Sequence, residues 1–100
     1  MGKTYTGGVC ERDRRTKKTK SVTIVEDDGD FSGLQVATHE LGHLLGALHD
    51  GYYGATGCSK EGNIMSIKRR GKTWSDCSIY SIRRFLQSKK AYCLISQKIK

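Results

Sequence analysis

The chain reads as a small α+β domain, with one or two short strands, a helix bearing a histidine cluster and a C-terminal helix. Three observations lead there. Ser21-Val22-Thr23-Ile24-Val25 is a short β-branched run of the kind that favours extended backbone. Leu34, Ala37, Leu41, Leu44, Leu45 and Leu48 recur at helical spacing. Ile79, Ile82, Phe85 and Leu86 give a second segment one apolar face, with Arg83, Arg84, Lys89 and Lys90 left to solvent.

Taken in chain order, Thr4 to Val9 ends a strand, with Gly7-Gly8 marking a turn or bulge. Glu11 to Lys20 is a polar loop, and residues 21–25 form the β-branched strand. Glu26-Asp27-Asp28-Gly29-Asp30 is an acidic turn without the ligand spacing of an EF-hand. Ser32 at the N-cap and Gln35 three residues on make a capping box, opening the first helix. Its leucine stripe is expected to face the core. Gly51 to Gly62 is irregular, and Tyr52 and Tyr53 are expected to pack near the end of the helix. Residues 68–73 form a basic loop, and the second helix begins around Ser75-Asp76-Cys77-Ser78.

The most specific signal is His39-Glu40-Leu41-Gly42-His43-Leu44-Leu45-Gly46-Ala47-Leu48-His49-Asp50, which holds all three histidines of the chain. Four residues turn a helix by about 400°, so His39 and His43 share a face about one turn apart. Glu40 is offset by about 100°, placed to hold a water rather than the metal itself. Were the helix to continue, His49 would lie about 9 Å along the axis from His43 and about 240° around it. Gly46 permits the left-handed conformation that ends a helix, so the chain turns and returns His49 to the other two. Three nitrogens and one open position form a catalytic rather than a structural zinc site. The candidate metal ligands are therefore His39, His43 and His49, with Glu40 as general base and Zn2+ as cofactor.

Composition adds boundaries. One hundred residues make one small domain or part of a larger one. A core this small calls for staples, and Cys10, Cys58, Cys77 and Cys93 are available. Their wide spacing excludes a zinc ribbon and points to two disulfides in an oxidising compartment, with three possible connectivities. Net charge is +8, much of it in residues 12–20 and 68–72. These runs read first as solvated loops, or else as attraction to acidic surfaces such as sulfated glycans, nucleic acid or anionic lipid. Aromatics do not interleave with the first run, so base stacking on nucleic acid is not supported. No apolar run is long enough to span a bilayer. The polar start has no signal-peptide core, which suggests a truncated chain or a mature fragment. It matches the myristoylation pattern, but a cytosolic acylated protein conflicts with disulfides.

The extended histidine motif with a separate methionine resembles the metzincin clan of zinc endopeptidases. Asp50 after the third histidine resembles the adamalysin or reprolysin family, which includes snake-venom metalloproteinases and salivary metalloproteases of ticks. Gly8-Val9-Cys10, the strand at residues 21–27, Ile64-Met65 and Trp74-Ser75-Asp76-Cys77-Ser78 each look like successive segments of that fold. Ile67 stands where astacins and serralysins commonly carry a tyrosine. The resemblance implies a zincin-like (metzincin) fragment, residues 1–100, forming the C-terminal part of a catalytic domain truncated at its N-terminus. It also implies Met65 as the Met-turn residue and the disulfides Cys10–Cys93 and Cys58–Cys77.

The expected function is a secreted zinc metalloendopeptidase acting on extracellular proteins, a monomer whose partner is a protein or peptide substrate. No nucleic acid and no membrane span are expected, and acidic extracellular glycans are a further partner for the basic runs. The alternative is an inactive fragment that holds zinc and serves as a basic binding module.

Overall fold

The computed structural model describes residues 2–13, 15–25, 32–68 and 70–94. Strand β1 (Gly2–Thr4) pairs antiparallel with β4 (Thr23–Val25), Lys3 standing opposite Ile24. Between them in sequence, β2 (Arg12–Asp13) and β3 (Lys18–Thr19) form a second, separate antiparallel pair. Helix α1 (Ser32–Leu44) packs on β1 and β4. Helix α2 (Asp76–Leu86) follows the irregular middle of the chain, and short 3₁₀ segments cover Tyr53–Ala55 and Lys89–Leu94. The α+β class holds, with two two-stranded ladders among the described residues.

Several local expectations need correction. The first strand ends at Thr4, and the chain turns over Tyr5–Gly8, where the Gly8 N–H donates to the Tyr5 carbonyl at 3.0 Å. The stretch 11–20 is not an open loop. Asp13 accepts the backbone N–H groups of Arg15 and Thr16, and this turn chemistry folds the stretch into the β2–β3 hairpin. The acidic turn lies outside the described residues, as does the Ser32 side chain on which the capping box depends.

The leucine stripe of α1 does not face the core throughout. Leu34 is 67% and Leu41 48% exposed, and Ala37 is exposed, whereas Leu44 is buried. The helix packs on β1 and β4 and meets the Met65 turn through Gly42 and His39, and that packing leaves Leu34, Ala37 and Leu41 uncovered. On α2, Phe85 and Ser78 are buried and Ile82 packs on the core, while Ile79 and Leu86 are exposed. Tyr53 is 85% exposed and does not pack on α1, and Tyr52 instead carries the Lys60 ammonium over its ring at 4.7 Å.

The hydrophobic core is small. Ala47, Ile64 and Met65 form it, with Trp74 and Ile82 packed against them. Most of the largest fully buried side chains are polar: His39, Asp50, Ser66 and Ser78, beside Met65. Such groups stabilise a fold only when bonded, so order here depends on specific hydrogen bonds and cross-links. Ser75 caps α2, accepting the Ser78 N–H at 3.1 Å, and its hydroxyl donates to Asp50 Oδ1 at 2.6 Å. Cys10 is bonded to Cys93 and Cys58 to Cys77. The first bond ties the segment before the hairpin to the C-terminal 3₁₀ turns, and the second ties the irregular middle to α2.

Candidate metal centre

Helix α1 delivers His39 and His43 from adjacent turns of one face. Its end is then shaped by Gly46, whose φ is +98°. The Ala47 N–H donates to the Gly42 carbonyl and the Gly46 N–H to the His43 carbonyl, both at 2.9 Å. That pair of bonds is a Schellman motif, and glycine takes its left-handed position without a steric penalty. A β-carbon there would also stand 2.9 Å from Phe85 Cβ. The reversal brings His49 back across the end of the helix.

The three rings converge. His49 Nε2 lies 3.2 Å from His39 Nε2 and 3.2 Å from His43 Nε2. The ring planes of His39 and His43 stand 86° apart, so their lone pairs approach one point from different directions. His39 Nδ1–H donates to the Ile64 carbonyl at 2.7 Å, and His43 Nδ1–H donates to the Ala47 carbonyl at 2.8 Å. A carbonyl can only accept, so both rings are fixed with the proton on Nδ1 and a lone pair on Nε2. His49 Nε2 has at most one proton to share between two such acceptors.

A cation resolves that conflict. Tetrahedral zinc with nitrogens about 2.0–2.1 Å away separates its ligands by about 3.3 Å, close to the spacing here. The donor set fits a divalent metal, and these nitrogens form a possible ligand group within 4.8 Å of one another. Burial leaves His39 only 1% exposed and is the main force pushing its pKa down to about 4, with Arg70 and the other two histidines adding to it. His49 is lowered for the same leading reason. Neutral imidazoles are what a metal needs, so no proton must be displaced from His39 near neutral pH.

Around the cluster, Glu40 is 5% exposed, and its charge is felt at both His49 and Arg70. It lies directly beneath Gly2, where an added β-carbon would stand 2.6 Å from Glu40 Cγ. Met65 is fully buried in the turn that the Ser66 N–H closes on the Asn63 carbonyl at 3.1 Å. The Met65 carbonyl accepts the Asp50 N–H at 3.1 Å. Asp50 thus joins the segment after His49 to the Met65 turn through its backbone and to α2 through Ser75.

Gly42 sits between the two helical histidines. A β-carbon there would stand 2.5 Å from Met65 Sδ and 2.8 Å from the Trp74 ring. Gly42→Ala is therefore expected to lower stability by about 1–3 kcal/mol through overpacking. Thermal unfolding measures this; an unchanged midpoint would mean that Met65 and Trp74 do not press on the helix.

Arg70 is the residue that sequence reading missed. It belonged to a basic loop, with no pattern to separate it from its neighbours. The structure half-buries it, and its Nε–H donates to the Ser66 carbonyl at 3.1 Å. With Leu34, Thr38, Ile64 and Lys72 it lines a cleft of ≈ 360 Å³ immediately beside His39.

Comparison with known proteins bears on these features. The family model described as Reprolysin (M12B) family zinc metalloprotease matches residues 1–98. A Bombyx mori protein named as a disintegrin and metalloproteinase with thrombospondin motifs like is 47% identical over 93% of this chain and 15% of its own length. Venom metalloproteinase 3 of Eulophus pennicornis is 35% identical over 93% of this chain and 23% of its own. A zinc metalloproteinase/disintegrin of Bitis gabonica is 39% identical over 88% of this chain and 26% of its own. The chain thus spans about a quarter or less of the length of these curated relatives.

Proposed function

The chain belongs to the reprolysin family of zinc metalloproteases, and from that premise we propose that residues 1–100 form the C-terminal part of a metzincin catalytic domain that hydrolyses peptide bonds in extracellular proteins. The observation that carries this reading is the convergence of His39, His43 and His49 on one point, with two of the rings locked by carbonyl acceptors. In this reading these three nitrogens hold Zn2+, and Met65 is the turn residue beneath them.

When bound, zinc supplies Lewis acidity toward a peptide carbonyl and acidifies a water to near neutrality. The remaining chemistry belongs to the chain. Glu40 takes the proton from the attacking water at a carboxylate oxygen and later returns it to the leaving amine. Burial of Glu40 keeps bulk water from competing for that proton. The Ile64 and Ala47 carbonyls hold the histidines in their liganding tautomer. The cleft beside His39 gives a substrate side chain somewhere to lie, with the Arg70 guanidinium at its wall.

The two disulfides support an oxidising compartment, as do relatives named for venom. We therefore read the protein as secreted, and take it as a monomer acting on a protein or peptide substrate. Its charge of +8 suits acidic extracellular glycans as additional partners.

Metal replacement tests the reading. The purified chain is stripped with a chelator, titrated with zinc and assayed on a fluorogenic peptide library. Stoichiometric zinc uptake with hydrolysis restored is the expected result. Zinc uptake without hydrolysis would favour a binding module, and no uptake would end the metal assignment.

A further inference from the structure

A second groove, formed by described residues, shares none of them with the histidine cluster. It has a volume of ≈ 810 Å³ and lies between the β2–β3 hairpin and the C-terminal 3₁₀ turns. Five cationic side chains line it: Arg12, Lys18, Lys20, Lys89 and Lys90. All five are exposed. They come from two segments far apart in sequence, and the Cys10–Cys93 bond holds those segments together. The groove is thus a fixed array of charge rather than two independent basic tails.

Two carboxylates, Glu11 and Asp13, share the lining with these five cations, so the groove stays net positive. Glu11 pairs with Lys20 at 3.5 Å, and Asp13 accepts the N–H groups of the hairpin turn. Among the described residues, Arg12, Lys18, Lys89 and Lys90 have no carboxylate in ion-pair contact, so these four can meet an outside anion. Two tyrosines complete the lining. Tyr5 and Tyr92 are each 57% exposed, and the Tyr92 hydroxyl donates to the Cys10 carbonyl at 3.3 Å, which fixes that ring in place. A fixed aromatic face such as that of Tyr92 suits the C–H face of a sugar ring, whereas Tyr5 carries the Lys20 ammonium over its ring at 5.5 Å. No aliphatic side chain in the lining could enter a bilayer.

We propose that this groove binds a sulfated polysaccharide, with sulfates on Arg12, Lys18, Lys89 and Lys90 and a sugar ring against Tyr92. The disulfides place the chain where such glycans, and not nucleic acids, are the abundant polyanions. This assignment shares the extracellular premise of the peptidase reading but none of its residues, and its test involves no catalysis.

Calorimetry with a heparin octasaccharide, at two salt concentrations, compares three forms of the disulfide-bonded chain. One is unaltered. One carries Lys18→Ser, Lys89→Ser and Lys90→Ser. A control carries Lys60→Ser, Lys68→Ser and Arg83→Ser, which removes the same charge elsewhere on the exposed surface. The groove variant is expected to lose at least about tenfold in affinity and much of the salt dependence, and the control less than about threefold. Equal losses in the two variants would reduce the effect to net charge and overturn the site. So would equal affinity for desulfated heparin, tighter binding of a DNA oligonucleotide of matched charge, or no binding by the unaltered chain.

Discussion

Replacing Glu40 with Gln is expected to lower peptide hydrolysis by about 10²–10⁴-fold while leaving zinc affinity within about threefold. The two side chains have the same shape, so the packing beneath Gly2 is kept. What disappears is the basic oxygen. An amide cannot accept the proton of the attacking water or hand it on to the leaving amine. The three histidine nitrogens and the carbonyls behind two of them are untouched, so metal uptake persists. Parallel measurement of zinc affinity and of kcat/KM on one peptide separates the possibilities. Retained hydrolysis would remove Glu40 from the mechanism. Loss of zinc together with activity would make Glu40 a structural support of the cluster instead.

The second large effect is on stability. Replacing both Cys10 and Cys93 with Ser is expected to cost about 4.5 kcal/mol, and replacing Cys58 and Cys77 about 3 kcal/mol, from the chain entropy that each bond removes from the unfolded state. The difference follows from sequence separations of 83 and 19 residues. Domains are typically stable by only about 5–15 kcal/mol. With a core built on Ala47, Ile64 and Met65, the first loss approaches the whole margin. Urea unfolding of the two double variants beside the unaltered chain tests this ordering. A smaller effect from the longer loop would mean that the unfolded chain is already held compact, or that the hairpin segment contributes little to the native state. The Cys10–Cys93 variant should also weaken heparin binding, because the two walls of the basic groove would no longer be tied together.

Much of the candidate site could be read from order alone. The spacing of His39 and His43 sets a common helical face whatever surrounds the helix, since i and i+4 side chains meet by helix geometry. Gly46 as the stop is equally local, because a left-handed residue at a helix end is a property of backbone sterics. Ser75 in front of Asp76 likewise caps α2 through its neighbour Ser78. The strand at Thr23–Val25 falls within the β-branched run that announced it.

Most of what the pattern misplaced depends on a distant neighbour, and one element on turn bonds that apolar patterning does not register. Leu34 and Leu41 have the same spacing as Leu44, yet only Leu44 is covered, because burial depends on what packs opposite and not on period. The β2–β3 hairpin formed in a stretch too polar to suggest strands, since its order comes from the Asp13 turn bonds rather than from apolar alternation. Arg70 looked like any residue of a basic loop until the Met65 turn and α1 came together around it.

The sequence by itself determined the identities and local geometry of the groups that can hold a metal, because covalent spacing and backbone conformation act over a few residues. Only the tertiary structure decided which carbonyl locks His39, which charge stands beside Glu40, and which lysines share a groove. Those relations join residues as far apart in the chain as Arg12 and Lys90 are across the groove. They exist only once long loops have closed, at an entropic cost that a local pattern does not record.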